Sequence, residues 1–263
     1  MPKIKTIQFL DISFNNREAF LDYIKTEVVQ FALNRQDLFK AMNCNAQYFH
    51  REKHKEKEVD VLIHSLIKDQ VLSIRAYTQK AIETLDLWFK LYKKEFPERC
   101  INTIISNETF QYKILEKPQT YTSSNWIPFN DCELKNKTYY NKEKNLALDK
   151  SSFKAQLFAN LLYGFIEKIG LDTDNIRVKP TNFKIATKHK SILALKTKVD
   201  GKEIKVKKYS FKVTFTSNVQ LPSYFSLGQN LGYGNGVFIR DHTNLNIKSY
   251  EKPKIKLKPN KTE

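Results

Sequence analysis

Segments with the two-residue hydrophobic period of strands alternate with segments that have the 3.6-residue period of helices, and both halves of the chain show them in a similar order. This order restricts the fold more than any other feature of the sequence. In the first half, the predicted elements are a strand over residues 3–14, a helix that starts near Phe20 and continues, whole or broken, to about Met42, strands over 59–67 and 71–77, a helix over 82–96 that ends before Pro97, and one or two strands over 101–115. The order β-α-β-β-α-β is the split βαβ pattern of a ferredoxin-like domain.

The second half follows a similar order in a less regular form. Its predicted elements are an extended start at Trp126–Phe129, a helix over 153–169 that ends at Gly170, strands over 192–199 and 202–208 around the turn Asp200-Gly201, an alternating strand over 209–215, a short helical turn after Pro222 and a strand over 237–240. The two series predict an α+β protein of two tandem ferredoxin-like domains with a C-terminal glycine-rich loop. We place these domains at residues 1–117 and 118–247, followed by a flexible basic tail at 248–263 that either attracts phosphate or only aids solubility.

Charge indicates the class of partner. The 263 residues carry a formal net charge of +17, which points to a polyanion such as nucleic acid or an anionic membrane. A membrane is the weaker choice, because no apolar run approaches the roughly 18–20 residues of a spanning helix. The first residues alternate and contain Asp11, unlike a secretory signal. Because Cys44, Cys100 and Cys132 are scattered and form no CxxC pair, we expect a reducing compartment, the cytoplasm, and no zinc site. We expect no other metal and no cofactor.

Glycine is concentrated in one segment. Of the seven glycines in the chain, Gly228, Gly232, Gly234 and Gly236 fall between Leu227 and Val237. Glycine reaches backbone angles closed to other residues and lets a backbone approach a ligand closely. Successive N–H groups in such a loop can form an anion-binding concavity, and the basic flanks favour a phosphate. The alternative is an ordinary tight turn between two elements.

Lysine is concentrated just before that segment. Residues 184–212 hold ten lysines against two acidic residues. On a β-hairpin, Lys196 shares a face with Lys198, and Lys205 shares a face with Lys207. Such faces suit a phosphate backbone or the base of an RNA stem. The alternative is a solubilising edge that discourages pairing with other strands.

Several segments of the second half, taken in order, resemble a known family. They are Trp126-Ile127-Pro128-Phe129, the helix with Asn160-Leu161-Leu162, residues 211–215, Leu221-Pro222 and the glycine-rich segment. Together they are similar to the CRISPR-associated endoribonucleases that cut precursor CRISPR RNA, the sixth Cas family of the RAMP superfamily. The resemblance covers about residues 119–240, and the first half matches mainly in element order. The family loop has the form G-x-G-x-x-x-x-G-F-G, whereas here Tyr233 replaces the Phe and Gly236 is additional.

The resemblance implies cleavage of RNA without a metal. In the family, the 2′-OH beside the scissile phosphate attacks in line and leaves a 2′,3′-cyclic phosphate and a 5′-OH. This chemistry needs a general base and cations that stabilise the charged transition state. The base of family members follows the first helix of the first domain, and His50 occupies that place, with Lys53 among the nearby cations and His54 as the competing base. The alternative is a solvated loop in which neither His50 nor His54 takes part in catalysis. A third histidine, His64, is predicted to be a strand residue.

The resemblance also implies the contacts of the glycine-rich loop with RNA. The implied RNA-binding residues are Gly228, Gln229, Asn230, Gly232, Tyr233 and Gly234, with Tyr233 as a candidate for base stacking. The implied partner is precursor CRISPR RNA, recognised at its repeats. A CRISPR effector complex and a second copy of the chain, as a homodimer, are further options.

Other functions stay open. One is a non-catalytic RNA-binding subunit of the same superfamily, which differs in having no working base at His50. Another is an unrelated basic nucleic-acid-binding protein, for example a transposon- or ribosome-associated one. A P-loop ATPase is disfavoured, because no Gly-Lys-Ser/Thr follows the loop. A metal-dependent nuclease is disfavoured by the lack of a tight carboxylate cluster in the sequence.

Overall fold

In the residues that it describes, the computed structural model has two antiparallel sheets, of four and five strands. It describes residues 3–50, 61–68, 71–109, 114–127, 159, 161–165, 167, 183–199, 202–228, 231–233 and 235–241. The predicted tail at 248–263 lies outside these residues. In the part of the chain just given, no helix combines the length and the apolar character needed to cross a bilayer.

The first sheet is formed by the first half of the chain. Its strands are β1 (Lys3–Ser13), β2 (Ile63–Lys68), β3 (Val71–Ala76) and β4 (Thr103–Thr109). Their order in the sheet is β2-β3-β1-β4, with every neighbouring pair antiparallel. The central strand β1 pairs on both sides, and Ile7 lies between Ile74 and Ile105. This order follows from the split βαβ connection, since each helix carries the chain across the sheet to a strand that is not the next neighbour.

Helices cover the inner face of this sheet. After β1 they are α1 (Arg17–Tyr23), a π-helical segment (Ile24–Val29), α2 (Gln30–Leu33) and α3 (Gln36–Ala41); α4 (Gln79–Glu95) follows β3, and a 3₁₀ turn (Pro97–Cys100) follows α4. Both α1 and α4 begin at a side-chain cap: Asn16 Oδ1 accepts from the Ala19 N–H at 2.9 Å, and Thr78 Oγ1 accepts from the Ala81 N–H at 3.1 Å. The predicted helix to Met42 is thus present with a break between α2 and α3.

The first core is centred on one aromatic cluster. Trp88 of α4 stacks on Tyr92 at 4.7 Å between ring centroids and meets Phe9 of β1 edge-on at 6.2 Å. Its indole N–H donates to the Val28 carbonyl oxygen at 3.2 Å, so the buried polar atom of the ring is satisfied. The cluster ties α4, β1 and the π-helical segment into one hydrophobic core.

The second sheet has a similar strand arrangement with one strand added. Its strands are β5 (Ile114–Trp126), β6 (Phe183–Val199), β7 (Lys202–Val219), β8 (Tyr224–Ser226) and β9 (Val237–Arg240), in the order β6-β7-β5-β9-β8. Residues 159, 161–165 and 167, between β5 and β6, are helical. Tyr121 stacks on Phe215 at 5.0 Å, and Phe225 stacks on Phe238 at 5.5 Å. The predicted α+β fold of tandem ferredoxin-like domains is confirmed.

Two local predictions are wrong. Trp126 is the last residue of β5 rather than the start of an extended segment, because β5 begins at Ile114. Pro118 is tolerated inside this strand at a shift in its register, where a missing N–H does not break the ladder. The segment after Pro222 is the strand β8, not a helical turn, because it pairs with β9. The domain division at residues 117 and 118 stays a prediction.

Strand β8 also connects the two halves. Arg75 of β3 is fully buried and donates to the main-chain carbonyl oxygen of Tyr224. Its guanidinium carbon lies 3.8 Å from the centre of the Tyr224 ring, and it forms an ion pair with Glu108 at 2.6 Å. The Tyr224 hydroxyl lies 3.3 Å from Thr6 Oγ1, to which it donates. A buried cation, an aromatic ring and two hydrogen bonds therefore hold the second half against the outer face of the first sheet.

Candidate functional site

The glycine-rich segment connects the antiparallel strands β8 and β9. Its ends are closed by a hydrogen bond from the Leu227 N–H to the Gly236 carbonyl oxygen at 3.0 Å. Gly236 has a φ of +64° and Gly228 a φ of +104°, angles that favour glycine. A Cβ at Gly236 would lie 1.9 Å from the Leu227 carbonyl oxygen, and one at Gly228 would lie 2.3 Å from that of Ile127. These two glycines are therefore required by the close approach of the protein's own backbone.

A third glycine joins the segment to the first domain. Leu231–Tyr233 forms a 3₁₀ turn that contacts β2 and the π-helical segment. A Cβ at Gly232 would lie 2.1 Å from the Phe49 carbonyl oxygen and 3.7 Å from Val61 Cγ1. The turn can approach this closely only because Gly232 has no side chain. The structure thus brings the glycine-rich segment against the residue that immediately precedes His50.

The backbone before His50 is fixed from several sides. A 3₁₀ turn (Ala46–Tyr48) is capped by Asn45, whose Oδ1 accepts from the Gln47 N–H at 3.0 Å. Phe49 is buried, with its ring centroid 5.8 Å from that of Trp88. The Leu62 N–H donates to the Tyr48 carbonyl oxygen at 3.1 Å. His50 itself is half-buried. A general base must lie within reach of its substrate, and the position of His50, a partly exposed residue next to the glycine turn, is compatible with that requirement.

One functional candidate was missed by the sequence analysis. Arg17, the first residue of α1, donates through its guanidinium to Asn235 Oδ1 in the glycine-rich segment. Arg17 is half-buried, and this burial lowers the pKa of its guanidinium from the ordinary value. Asn235 is fully buried. No periodic pattern marks either residue, because their partnership joins positions 218 residues apart.

Several predicted site residues lie outside the described residues. They are His54, Lys53, Gln229, Asn230 and Gly234. Tyr233 is the last residue of the 3₁₀ turn that carries Gly232. The proposed roles of all these residues stay predictions.

The lysine-rich segment forms the long hairpin β6–β7. Val199 pairs with Lys202, so two residues connect the strands, as the Asp200-Gly201 turn predicts. Both strands are longer than predicted, at 17 and 18 residues. The pairing of β7 with β5 ends at Phe211, so in the described part of the chain residues 202–210 pair with β6 alone. These nine positions correspond to an arm of about 30 Å at the usual rise of about 3.3 Å per residue.

The register of this arm groups the four predicted lysines. Lys196 lies directly opposite Lys205, and position 207 lies opposite Ala194. Residues opposite each other in an antiparallel ladder share a face, as do alternate residues of one strand. Positions 196, 198, 205 and 207 therefore fall on one face of the arm. Glu203, opposite Lys198, falls on the same face and reduces its positive charge.

The predicted strand residue His64 is a buried neutral base. Its ring lies 4.7 Å from that of Tyr77, and its Nε2 lies 3.1 Å from the Val61 carbonyl oxygen. Burial, with a smaller contribution from the nearby Arg75 cation, lowers the pKa of His64 to about 4. Because the side chain has no exposed surface, RNA cannot reach it. Within the described ranges, no three His, Cys, Asp or Glu side chains come together as a metal site.

Solved structures share this fold over nearly the whole chain. One is described as the crystal structure of the CRISPR RNA processing endoribonuclease Cas6b; the match covers 92% of this chain and 100% of that one, with a TM-score of 0.54 and 15% identity. Another is Csf5, described as a CRISPR-Cas type IV Cas6 crRNA endonuclease; here the match covers 91% and 100%, with a TM-score of 0.57 and 13% identity. No protein-family model matches the sequence, and no curated protein matches it. At these identities, the likeness shows that the fold is shared.

Proposed function

We propose that this protein is an endoribonuclease that cleaves precursor CRISPR RNA within its repeats and requires no metal. The observation that carries the proposal is the contact between Gly232 and the Phe49 carbonyl oxygen, where a Cβ would come to 2.1 Å. It joins two features that the sequence places 183 positions apart, the glycine-rich loop and the segment ending in His50. The fold shared with endoribonucleases of CRISPR systems supports the same activity.

The proposed reaction is an internal transesterification. His50 takes the proton of the 2′-OH as that oxygen attacks the neighbouring phosphorus. The P–O bond to the 5′ oxygen of the next nucleotide breaks, and this oxygen takes up a proton. The products are a 2′,3′-cyclic phosphate and a 5′-OH. Lys53 is the proposed cation that offsets the charge developing on the phosphate, and His54 is the alternative base.

Two surfaces supply the proposed binding of the RNA. Backbone N–H groups of the glycine-rich loop, with Gln229, Asn230 and Tyr233, face the RNA near the scissile phosphate. The basic face of the β6–β7 arm, with positions 196, 198, 205 and 207, follows the phosphate backbone away from it. The cleaved RNA is then kept or passed to a CRISPR effector complex in the cytoplasm.

The test is cleavage of repeat RNAs by the purified protein in the presence of EDTA. We expect one cut per repeat, and no cut when the nucleotide before the scissile phosphate is 2′-deoxy. His50→Ala should lower the rate by about 10²–10⁴-fold, the usual contribution of a general base, while RNA affinity is kept.

Matched variants separate the alternatives. If His54→Ala abolishes cleavage and His50→Ala does not, the base is His54. If the wild-type protein binds repeats tightly in a salt-sensitive way and cuts none, the proposed activity is wrong and the protein is a non-catalytic RNA-binding subunit. If it binds repeats no better than unrelated nucleic acids, the CRISPR assignment is wrong as well.

A further inference from the structure

The bond between Arg17 and Asn235 crosses from one domain to the other. Arg17 begins α1 in the first domain, and Asn235 lies between the 3₁₀ turn with Gly232 and strand β9. The guanidinium donates to the amide oxygen of Asn235. Asn235 is fully buried and Arg17 is half-buried. A hydrogen bond from a charged donor in such surroundings is stronger and more directional than one between neutral groups.

The position of Asn235 makes this bond relevant to the whole loop. On one side, Gly236 closes the loop through the hydrogen bond to Leu227 at 3.0 Å, which anchors it within the second domain. On the other side, Gly232 packs closely against the Phe49 carbonyl oxygen. Arg17 therefore adds a directed polar interaction between the loop and the first domain, close to that contact.

The start of α1 is itself well fixed. Asn16 caps the helix, and Phe14 packs edge-on against Phe20 and Tyr23 at 5.2 and 5.4 Å. The helix continues into the π-helical segment, which the loop also contacts. Arg17 thus projects from a rigid part of the first domain, as a residue that positions another segment must.

We propose that Arg17 is a positioning residue, which through Asn235 holds the glycine-rich loop at a fixed distance from His50. This inference rests on the proposed ribonuclease function. The reacting groups would come from different domains: the base from the segment after α3 and the phosphate-facing backbone from the loop between β8 and β9. A displacement of about 1 Å between such groups can lower a rate about 10²-fold without removing any reacting group.

The first experiment compares steady-state cleavage of a repeat RNA by four variants. Arg17→Ala and Asn235→Ala should each lower kcat by about 10- to 100-fold with a much smaller change in KM, because alignment is lost and most RNA contacts stay. The double variant should be no worse than either single one, since both remove the same interaction. Arg17→Lys, which keeps a donor, should restore part of kcat.

Arg35→Ala is the matched control. Arg35 is also an arginine of the first domain, and its partners among the described residues lie in that domain: Glu95, with an ion pair at 2.5 Å, and Phe31, whose carbonyl oxygen accepts from it at 3.2 Å. Arg35→Ala removes the same charge as Arg17→Ala and should leave kcat unchanged. If Arg35→Ala and Arg17→Ala have equal effects, or if Asn235→Ala keeps full activity, the positioning role is wrong.

Amide hydrogen exchange of the RNA-free protein tests the inference without any cleavage. Arg17→Ala and Asn235→Ala should speed exchange of residues 227–237 by about tenfold or more, because the loop opens locally, while the core strand β1 stays protected. Arg35→Ala should leave the loop unchanged. If the wild-type protein cleaves no RNA but the loop responds in this way, the proposed function fails and the interaction of Arg17 with the loop stands. Unchanged exchange in Arg17→Ala overturns the inference whatever the activity.

Discussion

The two halves of the molecule use the same position in their topology for different purposes. Between the third and fourth strands of the first half lies α4, with 17 residues, which supplies the aromatic centre of the core. At that position in the second half lie β8 and the glycine-rich loop, which contact the other domain. A connection that packs against its own sheet stabilises that sheet, whereas one that packs against a neighbouring domain brings residues of both domains together. The candidate site depends on a connection that packs against the neighbouring domain.

The hairpins of the two halves also differ, in their length and in how far other elements cover them. Strands β2 and β3 have 6 residues each, and β6 and β7 have 17 and 18. The short hairpin is buried along most of its length, so its sequence is constrained by packing. Residues 202–210 of the long hairpin have β6 as their described neighbour, and their sequence is rich in lysine. Packing therefore constrains the short hairpin, whereas the long hairpin is the one to which the proposed RNA contacts are assigned.

Removing the centre of α4 should have the largest effect on stability. Trp88 contacts Phe9, Phe31 and Phe49 as well as Tyr92. Trp88→Ala should lower the free energy of unfolding by about 3–5 kcal/mol, the usual result of deleting a buried aromatic side chain. Chemical denaturation followed by circular dichroism measures it. Lys90→Ala, an exposed change on the same helix, should cost less than about 0.5 kcal/mol. Equal effects would contradict the assignment of α4 to the core.

The pH dependence of stability should report on the interface between the halves. His64 of β2 has its ring 6.2 Å from that of Phe165, which belongs to the second half. Its pKa falls from 6.5 to about 4 on folding, so the unfolded chain binds the proton more tightly. Stability is therefore fully present above about pH 6.5 and is lost as the pH falls toward 4, by about 3 kcal/mol in all. Thermal melts across this range measure the loss.

His64→Gln tests whether this residue is the source. The variant should lose less stability between pH 7 and pH 4.5 than the wild type, because the glutamine does not titrate. Carboxylates contribute equally to both proteins, so only the difference between the two curves matters. Parallel curves would show that His64 is not buried in its neutral form.

A substitution at Gly232, where the glycine-rich segment meets the first domain, should have an intermediate effect on stability. Gly232→Ala places a methyl group 2.1 Å from the Phe49 carbonyl oxygen, so the turn must move away from the segment before His50. Overpacking of this kind costs about 1–3 kcal/mol. Gly164→Ala is the control, because nothing lies within 4 Å of its Cβ position. We expect a lower melting temperature for Gly232→Ala and an unchanged or slightly higher one for Gly164→Ala. The reverse order would mean that the loop does not touch the first domain.

Local patterns predicted the elements but not the contacts between them. The helical stripe through Trp88 and the two-residue turn at Asp200-Gly201 depend on neighbouring residues, and both are present. Strand β8 was missed because three residues are too few to show a period; it exists because β9 pairs with it. Arg17 was missed because its partner Asn235 is 218 positions away in the sequence, and the two meet only when the domains are in contact.

The lysine arm should give the smallest effect of a single change. If Lys205 neutralises one RNA phosphate, Lys205→Ala should weaken binding of all repeat RNAs alike and reduce the slope of log affinity against log salt by roughly 0.7–0.9. The free-energy change at physiological salt should be below about 1 kcal/mol, because only one phosphate contact among several is lost and salt screens it. Lys90→Ala, an exposed lysine of α4, makes the same change in net charge away from the arm. Fluorescence titrations at several salt concentrations compare them. An equal change of slope in both variants would mean that the net charge of the chain, rather than the arm, attracts the RNA.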